Sequence, residues 1–227
     1  MTETPFFFAR QDARLFGILH SPEGAAQPLA FVMSHPFGEE KLWSHRVFVS
    51  CARALAARGH AVLRFDYCGA GDSSGMSADT SLDSHRADLV AAVGALEQRM
   101  PAVQQIGFIG LRLGASVAAL LAESNAGQPS LPRLHGAPLV LWDPILDGDA
   151  YFQELLRSNL STQLAVYGKV IDNREVLTAR IRAGGSVNVD GYEIGKDLLE
   201  SCGVSTLLTT ESKQHAGPTL VVQIAAT

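Results

Sequence analysis

Between residues 29 and 143, apolar residues form short unbroken runs, each followed by a segment with helical spacing of its apolar positions. Runs of this length without polar alternation are typical of parallel strands that are buried on both faces. They predict strands at Leu29–Met33, Ala61–Asp66, 104–110 and Leu139–Trp142. Strands that alternate with helices at short intervals indicate the α/β class, with a doubly wound, mostly parallel sheet and helices on both faces.

Three helices are predicted between these strands, and the third follows the strand at 104–110 directly. The first runs from about Ser44 to Arg58. The second starts at Thr80–Asp83, where Asp83 is placed for a capping-box contact, and Pro101 ends it. Its predicted buried stripe consists of Leu82, Leu89, Val93 and Leu96. Two earlier strands, at Phe6–Arg10 and Leu15–His20, form a hairpin before the sheet.

The pattern changes after Pro144, where the helical segments have more polar faces and longer loops. We expect helices at Tyr151–Tyr167 and Arg174–Ala183, a short strand and turn at 184–192, and a helical turn at Asp197–Ser201. Buried-strand character returns at Pro218–Ile224. The predicted organisation is therefore a core at 1–146, a helical lid insertion at 147–201, and a return to the core at 202–227.

The most informative motif is Gly110-Leu111-Arg112-Leu113-Gly114, which follows a buried strand and precedes a helix of small residues. A strand, a tight turn and a helix in this order form the frame of a nucleophile elbow, Gly-x-Ser-x-Gly. Arginine stands at the central position here. In parallel sheets, ligand-binding groups gather where the strands end. This rule favours the loops that begin at Ser34-His35, Asp66-Tyr67, Gly110 and Trp142-Asp143.

The same rule sorts the histidines. His35 ends a parallel strand and is the favoured candidate. Three others precede strands and should lie at the opposite edge of the sheet: His60, His135 and His215. His20 ends an early strand that we expect to be antiparallel, so it is also disfavoured. His45 and His85 are expected to be plain surface histidines.

Two further candidates lie in the glycine-rich loop after the fourth predicted strand. Ser73 matches Gly-x-Ser-x-Gly literally, but it lies in a loop well past the strand, so a structural turn is the favoured interpretation. Cys68 could present a thiolate to a pocket, although an inert thiol is favoured. Cys51 is expected in the core.

Composition narrows the function classes. The net charge is −5 with both signs interspersed, so no basic surface for nucleic acid is expected. Three widely spaced cysteines without a disulfide framework favour a reducing, cytoplasmic setting. No signal peptide is evident, and no apolar run approaches the roughly 20 residues of a membrane span. No residue cluster has metal-ligand spacing, and we expect neither a metal nor a cofactor.

Together, Ser34–Gly38, Asp66–Gly75 and Gly110–Gly114 resemble the α/β-hydrolase superfamily in its serine-aminopeptidase-like branch. The segments Leu141–Gly148 and Val187–Glu193 are similar to exosortase-system-associated hydrolases. The resemblance covers about Leu29 to Tyr192. It implies an α/β-hydrolase fold that cleaves ester, amide or thioester bonds.

The resemblance also assigns roles. The loop at His35-Pro36-Phe37-Gly38 corresponds to the one that supplies an oxyanion-hole amide, with Phe37 N–H as the donor; the Leu113 N–H is the second donor. Arg112 occupies the nucleophile position, and arginine stays protonated. Asp143 is a possible acid position. The usual acid and histidine would follow the strand at 218–224, so the resemblance implies that the last strand and helices are lacking, and we expect a truncated chain.

Two functions remain open at this point. The first is a hydrolase whose elbow lacks its nucleophile. The alternative is a non-catalytic relative that binds a small carboxylate or phosphate through Arg112 and the elbow amides. A guanidinium in a pocket needs a counter-charge, supplied either by that ligand or by a protein carboxylate, with Asp143 or Asp66 nearest by topology. The expected partner is a small acyl or anionic compound.

Overall fold

A computed structural model describes residues 1–127, 130–204 and 215–224. The strands are β1 (Thr2–Arg10), β2 (Ala13–Ser21), β3 (Leu29–Ser34), β4 (Val62–Phe65), β5 (Gln105–Leu111), β6 (Leu139–Trp142), β7 (Val187–Val189), β8 (Tyr192–Ile194) and β9 (Thr219–Val222). The helices are α1 (Glu39–Ala57), α2 (Leu82–Arg99), α3 (Leu113–Gly127), α4 (Gly148–Tyr167), α5 (Arg174–Arg182) and α6 (Lys196–Val204), with 3₁₀ turns at Ser77–Asp79 and Pro132–Leu134.

Seven strands form one sheet in the order β1-β2-β4-β3-β5-β6-β9. The first three strands in this order are antiparallel, and β4, β3, β5, β6 and β9 are parallel. The crossovers between parallel strands are helical, as the alternation of apolar runs and helical spacing predicts. The doubly wound α/β fold class is confirmed.

One helix start and one helix cap differ from the sequence prediction. Helix α1 begins at Glu39 instead of near Ser44, and its first turn contains Glu39 and Glu40, whose charges are favourable at a helix N-terminus. Helix α2 begins at Leu82 with Ser81 as its N-cap, and the capping box is completed by Ser84. The prediction of Asp83 as the capping-box partner is therefore wrong, because Ser84 occupies the third helical position from which the side chain reaches back.

The apolar core lies on both faces of the sheet. The larger cluster joins the sheet to α2 and α3 and continues without interruption into the segment 148–204 through Leu156, Leu177 and Leu198. A smaller cluster, which includes Phe31, Met33 and Phe48, packs α1 against the opposite face. The hairpin of β7 and β8 and helices α4 to α6 therefore share the main core rather than building one of their own.

Strand β9 is less buried than its sequence predicts. It pairs with β6 in parallel, but Leu220 and Val221 are 57% and 58% exposed. An apolar run predicts a strand, whereas the elements packed against it decide its burial, so the prediction of buried-strand character is wrong here. Within the described ranges, no helix is both long and apolar enough to cross a membrane.

Candidate functional site

The sharpest turn at the carboxyl edge of the sheet lies between β5 and α3. Arg112 alone separates the strand from the helix, and its φ of 51° is left-handed, which non-glycine residues seldom adopt. The helix begins at once, because the carbonyl oxygen of Arg112 accepts hydrogen bonds from the amides of Ala115 and Ser116 at 3.0 and 3.2 Å. This is the tight strand-to-helix turn that the Gly-x-Arg-x-Gly motif predicts.

The two glycines of the motif are required by close packing. A side-chain carbon on Gly110 would lie 2.4 Å from the Cα of Ala115. One on Gly114 would lie 2.3 Å from the carbonyl oxygen of Ser34 and 2.4 Å from that of His35. Only glycine permits such an approach of backbone to backbone. The loop after β3 is therefore held directly against the start of α3.

Three carboxylates surround the side chain of Arg112. Its Nε lies 3.0 Å from Oε1 of Glu40, its Nη1 3.2 Å from Oδ2 of Asp143, and its Nη2 3.0 Å from Oε2 of Glu154. These partners come from α1, from the loop after β6 and from α4, respectively. Asp143 is thus a counter-charge, as its topology predicts, whereas Asp66 pairs with Lys41 at 2.7 Å. We call Arg112, Glu40, Asp143 and Glu154 the arginine cluster.

Burial and charge oppose each other in this cluster. Burial raises the pKa of Glu40 above its usual value, although the charge and hydrogen bond of Arg112 pull it down. For Arg112, burial lowers the pKa, but the attraction of Glu40, Glu154 and Asp143 outweighs it and the pKa is raised. With only 21% of its side chain exposed, Arg112 therefore stays protonated, and its charge is satisfied within the protein.

Replacement of Arg112 by alanine is expected to destabilise the fold by about 3 kcal/mol, because it leaves three neighbouring carboxylates without a cation. The loss should shrink as the pH falls from 7 towards 4. Burial raises the pKa of Glu40, and without Arg112 this carboxyl would take up a proton more readily. Urea unfolding at several pH values measures both effects.

Arg157, which is exposed on α4, provides the matched control. Arg157→Ala should leave the free energy of unfolding nearly unchanged. Equal effects of the two substitutions, or a loss in Arg112→Ala that grows on acidification, would contradict the role of the cluster.

A narrow cavity lies beside the turn at Arg112, and we call it the elbow cavity. Its lining includes Phe37, Leu113, Gly114, His85 and Tyr192, so the residues of both predicted oxyanion amides face one space. The cavity has a volume of about 20 Å³. The elbow cavity therefore has room for a group of only a few atoms.

Hydrogen bonds fix the loop after β3 (the β3 loop), which forms one wall of the cavity. Ser34 Oγ donates to the carbonyl oxygen of Gly114 at 2.7 Å, and the Tyr67 hydroxyl lies 2.5 Å from Ser34 Oγ. Since Ser34 uses its proton on Gly114, Tyr67 is the donor to Ser34. Among the described residues, no hydrogen bond is made by the amides of Phe37 and Leu113. Both amides therefore remain able to donate to a ligand.

His35 lines the cavity, but its ring has a structural role. Its Nδ1–H donates to the carbonyl oxygen of Pro36 at 2.7 Å, and its Nε2 accepts from the amide of Tyr67 at 3.3 Å. Burial, reinforced by the charge of Lys41, lowers the pKa of His35 to about 4. The ring is thus neutral with both nitrogens in use, and it holds the loop after β3 in place.

His85 is buried, and the prediction of a plain surface histidine is wrong. Its ring is 4% exposed and packs against Tyr67 and Phe37, with centroids 4.5 and 6.4 Å away. Its Nδ1 is buried and has no hydrogen-bond partner among the residues that the structure describes. Burial lowers the pKa of His85 to about 3. The sequence does contain a signal, because His85 lies one helical turn from both Leu82 and Leu89 on the predicted buried stripe.

The other nucleophile candidates are engaged elsewhere. Ser73 Oγ donates to the carbonyl oxygen of Asp66 at 2.5 Å and accepts from the amide of Phe16 at 2.9 Å, which gives it the expected turn role. Cys68 lines the cavity, but its Sγ donates to the carbonyl oxygen of Ser74, and burial raises its pKa. A raised pKa keeps the thiol protonated and unreactive. Cys51, on α1, is half-buried against the smaller core.

Comparison with known proteins gives matches at the level of structure. No protein-family model matches the chain, and no curated protein matches its sequence. The α/β hydrolase GrgF from Penicillium sp. sh18 superposes with a TM-score of 0.63 at 19% identity, covering 98% of this chain and 79% of its own. The chain has an α/β-hydrolase fold.

Two further solved structures show the same likeness. Est1E from Butyrivibrio proteoclasticus, solved with ferulic acid bound, has a TM-score of 0.63 at 17% identity and covers 95% of this chain and 77% of its own. The Pyrococcus furiosus esterase Pf2001 has a TM-score of 0.53 at 19% identity, with 74% and 64% covered. At these identities the likeness establishes the fold, and the chemistry has to be argued from the residues at the site.

Proposed function

We propose that this protein is an α/β-hydrolase-fold protein that binds a small acyl compound in the elbow cavity and does not cleave it through residue 112. The observation that carries the proposal is the arginine cluster. In a nucleophile elbow, the residue in the left-handed turn attacks the carbonyl carbon. Arg112 occupies that turn, and a protonated guanidinium has no lone pair with which to attack.

The cavity supplies hydrogen-bond donors suited to an acyl oxygen. Phe37 and Leu113 line it, and their amides have no hydrogen-bond partner in the part of the chain that the structure describes. Leu113 is the first residue of α3, where the helix dipole strengthens donation. The unpaired Nδ1 of His85 is a further polar group in the same apolar surroundings. A buried polar atom without a partner is costly, so a ligand that pairs with it gains affinity.

An acyl ligand without charge suits the cavity better than an anion. The arginine cluster contains one cation and three carboxylates, so it does not offer positive charge to a ligand. The hypothesis of a carboxylate or phosphate bound by Arg112 therefore receives no support from this arrangement. Hydrolysis of an ester, amide or thioester would require an attacking group other than Arg112. Membership of the serine-aminopeptidase-like branch, a relationship to exosortase-associated hydrolases and a cytoplasmic location remain predictions.

Two measurements test this proposal: ligand titration of the wild type and of the variant His85→Phe, and the free energy of unfolding of that variant. Titration of the ¹⁵N-labelled protein with propionamide or methyl acetate should shift the amide resonances of Phe37 and Leu113, and acetate should shift them less. His85→Phe should weaken these shifts. It should also raise the free energy of unfolding by about 1 kcal/mol, because phenylalanine fills the space without an unpaired nitrogen.

Two further measurements separate binding from catalysis. A fluorophosphonate probe should label no residue of the elbow cavity, and hydrolysis of p-nitrophenyl acetate should be the same for the wild type and Arg112→Ala. Labelling at the elbow would refute the non-catalytic half of the proposal. Unperturbed Phe37 and Leu113 resonances at saturating propionamide would refute the binding half.

A further inference from the structure

A second and larger cavity lies between α1 and the strands β2, β3 and β4. Its volume is about 420 Å³, compared with about 20 Å³ for the elbow cavity. We call it the α1 groove. Its apolar lining consists of Phe16, Ile18, Met33, Phe48 and Phe65. Its polar lining consists of His35, Lys41, Ser44, His45, Arg64, Asp66 and Asp72.

Arg64 supplies a positive charge to this groove. Its Nε donates to Nε2 of His20 at 3.0 Å, and it makes no ion pair with any residue in the described ranges. His20 is fully buried, and burial, aided by the charge of Arg64, lowers its pKa to about 4, so the imidazole is neutral. The fork of terminal nitrogens of Arg64 is therefore not neutralised by its neighbour.

The acidic groups nearest to Arg64 are committed elsewhere. Asp66 pairs with Lys41 at 2.7 Å across the groove. Glu3 lies close enough to favour the charge of Arg64, but its carboxylate is held by Nε and Nη2 of Arg53 at 2.6 and 3.3 Å. Burial lowers the pKa of Arg64, and the charges of Glu3 and Asp66 offset this effect only in part. A half-buried arginine in this state gains from an added anion.

We propose that the α1 groove binds a medium-chain carboxylate, with the acid group on the terminal nitrogens of Arg64 and the hydrocarbon chain along the apolar walls. A guanidinium fork matches a carboxylate in a bidentate geometry. Five apolar side chains along the groove remove the chain from water. The combination of one available cation and a long apolar wall is the chemistry of an amphiphilic acid, not of a small inorganic anion.

This site is separate from the elbow cavity. The two cavities share only His35 and Lys41, which stand between them as a common wall. Neither Arg64 nor the apolar residues of the groove line the elbow cavity. The proposal for the α1 groove therefore does not depend on the function proposed for the elbow, and its failure would leave that function unaffected.

Isothermal titration with three probes of equal chain length tests the proposal. Octanoate should bind the wild type, octanol should bind more weakly, and octylamine should bind least. Arg64→Gln removes the charge and keeps a donor for His20, and it should weaken octanoate binding about tenfold while leaving octanol binding unchanged. Arg58→Gln, an exposed arginine at the end of α1, is the matched control and should bind octanoate as the wild type does.

Two more variants make the result decisive. Ile18→Phe narrows the groove and should weaken octanoate and octanol alike. Asp72→Asn removes the exposed acid at the mouth and should strengthen octanoate binding a few-fold. Thermal unfolding of each variant checks that it is folded. No binding of octanoate to the wild type, equal binding of octylamine, or an Arg64→Gln variant that binds octanoate as the wild type does would each overturn the proposal.

Discussion

Gly114→Ala is expected to lower the free energy of unfolding by about 3 kcal/mol or more, as a substitution that forces backbone apart in a packed core. The added carbon would lie 2.3 and 2.4 Å from the carbonyl oxygens of Ser34 and His35. Both neighbours are main-chain atoms, so relief requires the β3 loop or helix α3 to move. Such a shift would also break the hydrogen bond from Ser34 Oγ to the Gly114 carbonyl.

Gly94 provides the opposite control within the same protein. It lies inside α2, and a side-chain carbon there would meet no atom within 4 Å. Gly94→Ala should raise the free energy of unfolding by about 0.5 to 1 kcal/mol, because alanine loses less backbone freedom in a helix. Chemical denaturation of the two variants measures the contrast. A Gly114→Ala protein as stable as the wild type would show that the β3 loop and α3 are not held together as closely as described.

Acidification from pH 7 to pH 5 is expected to destabilise the protein strongly, because three histidines are buried in their neutral form. Burial is the main cause in each case, and it lowers the pKa of His20 and His35 to about 4 and that of His85 to about 3. In the unfolded chain these groups titrate near their usual value of about 6.5. Below that pH the unfolded state binds more protons, so stability is full above pH 6.5 and falls towards pH 4.

The expected size follows from proton linkage. Each histidine accounts for about 2 kcal/mol of lost stability at pH 5. The loss is reduced by Glu40 and Asp88, since burial raises the pKa of both and they favour the folded state as the pH falls. Urea unfolding between pH 7 and pH 5 should therefore show a free energy of unfolding that falls steeply with falling pH. The total fall should be smaller than the sum of the losses for three histidines.

Two variants assign the acid sensitivity to the buried rings. His85→Phe should make the dependence on pH shallower by the share of one histidine. His135→Gln changes an exposed histidine and serves as the control. Equal slopes for the wild type and His85→Phe would contradict the assignment of a depressed pKa to His85.

The order of strands and helices was predictable because the signal is local. Unbroken apolar runs mark the parallel strands, and close packing permits only glycine at 110, against α3, and at 114, against the loop after β3. Those constraints remain visible in the sequence as a motif. The helix boundaries were less predictable. Glu39 starts α1 because acidic residues are favourable in a first turn, and the apolar spacing of that helix does not report it.

The partners of Arg112 required the structure. Glu40 and Glu154 are 72 and 42 residues away along the chain, and no spacing rule relates them to the elbow. Asp143 could be predicted because it follows a neighbouring parallel strand. The residue type of His85 favours a surface position, whereas its position in the helix agrees with the buried stripe. The exposure of Leu220 and Val221 depends on what covers the sheet, which a local pattern cannot report.

The arginine cluster also constrains the order in which substitutions can accumulate. A serine introduced at position 112 alone would leave Glu40, Asp143 and Glu154 facing one another without a cation. A single change towards a nucleophile is therefore disfavoured by stability before chemistry is considered. Neutral residues at the positions of these acids would have to come first, and each would weaken the hold on Arg112. The neighbours of residue 112 therefore disfavour its replacement, and any design of an active elbow on this scaffold has to begin with α1, the loop after β6 and α4.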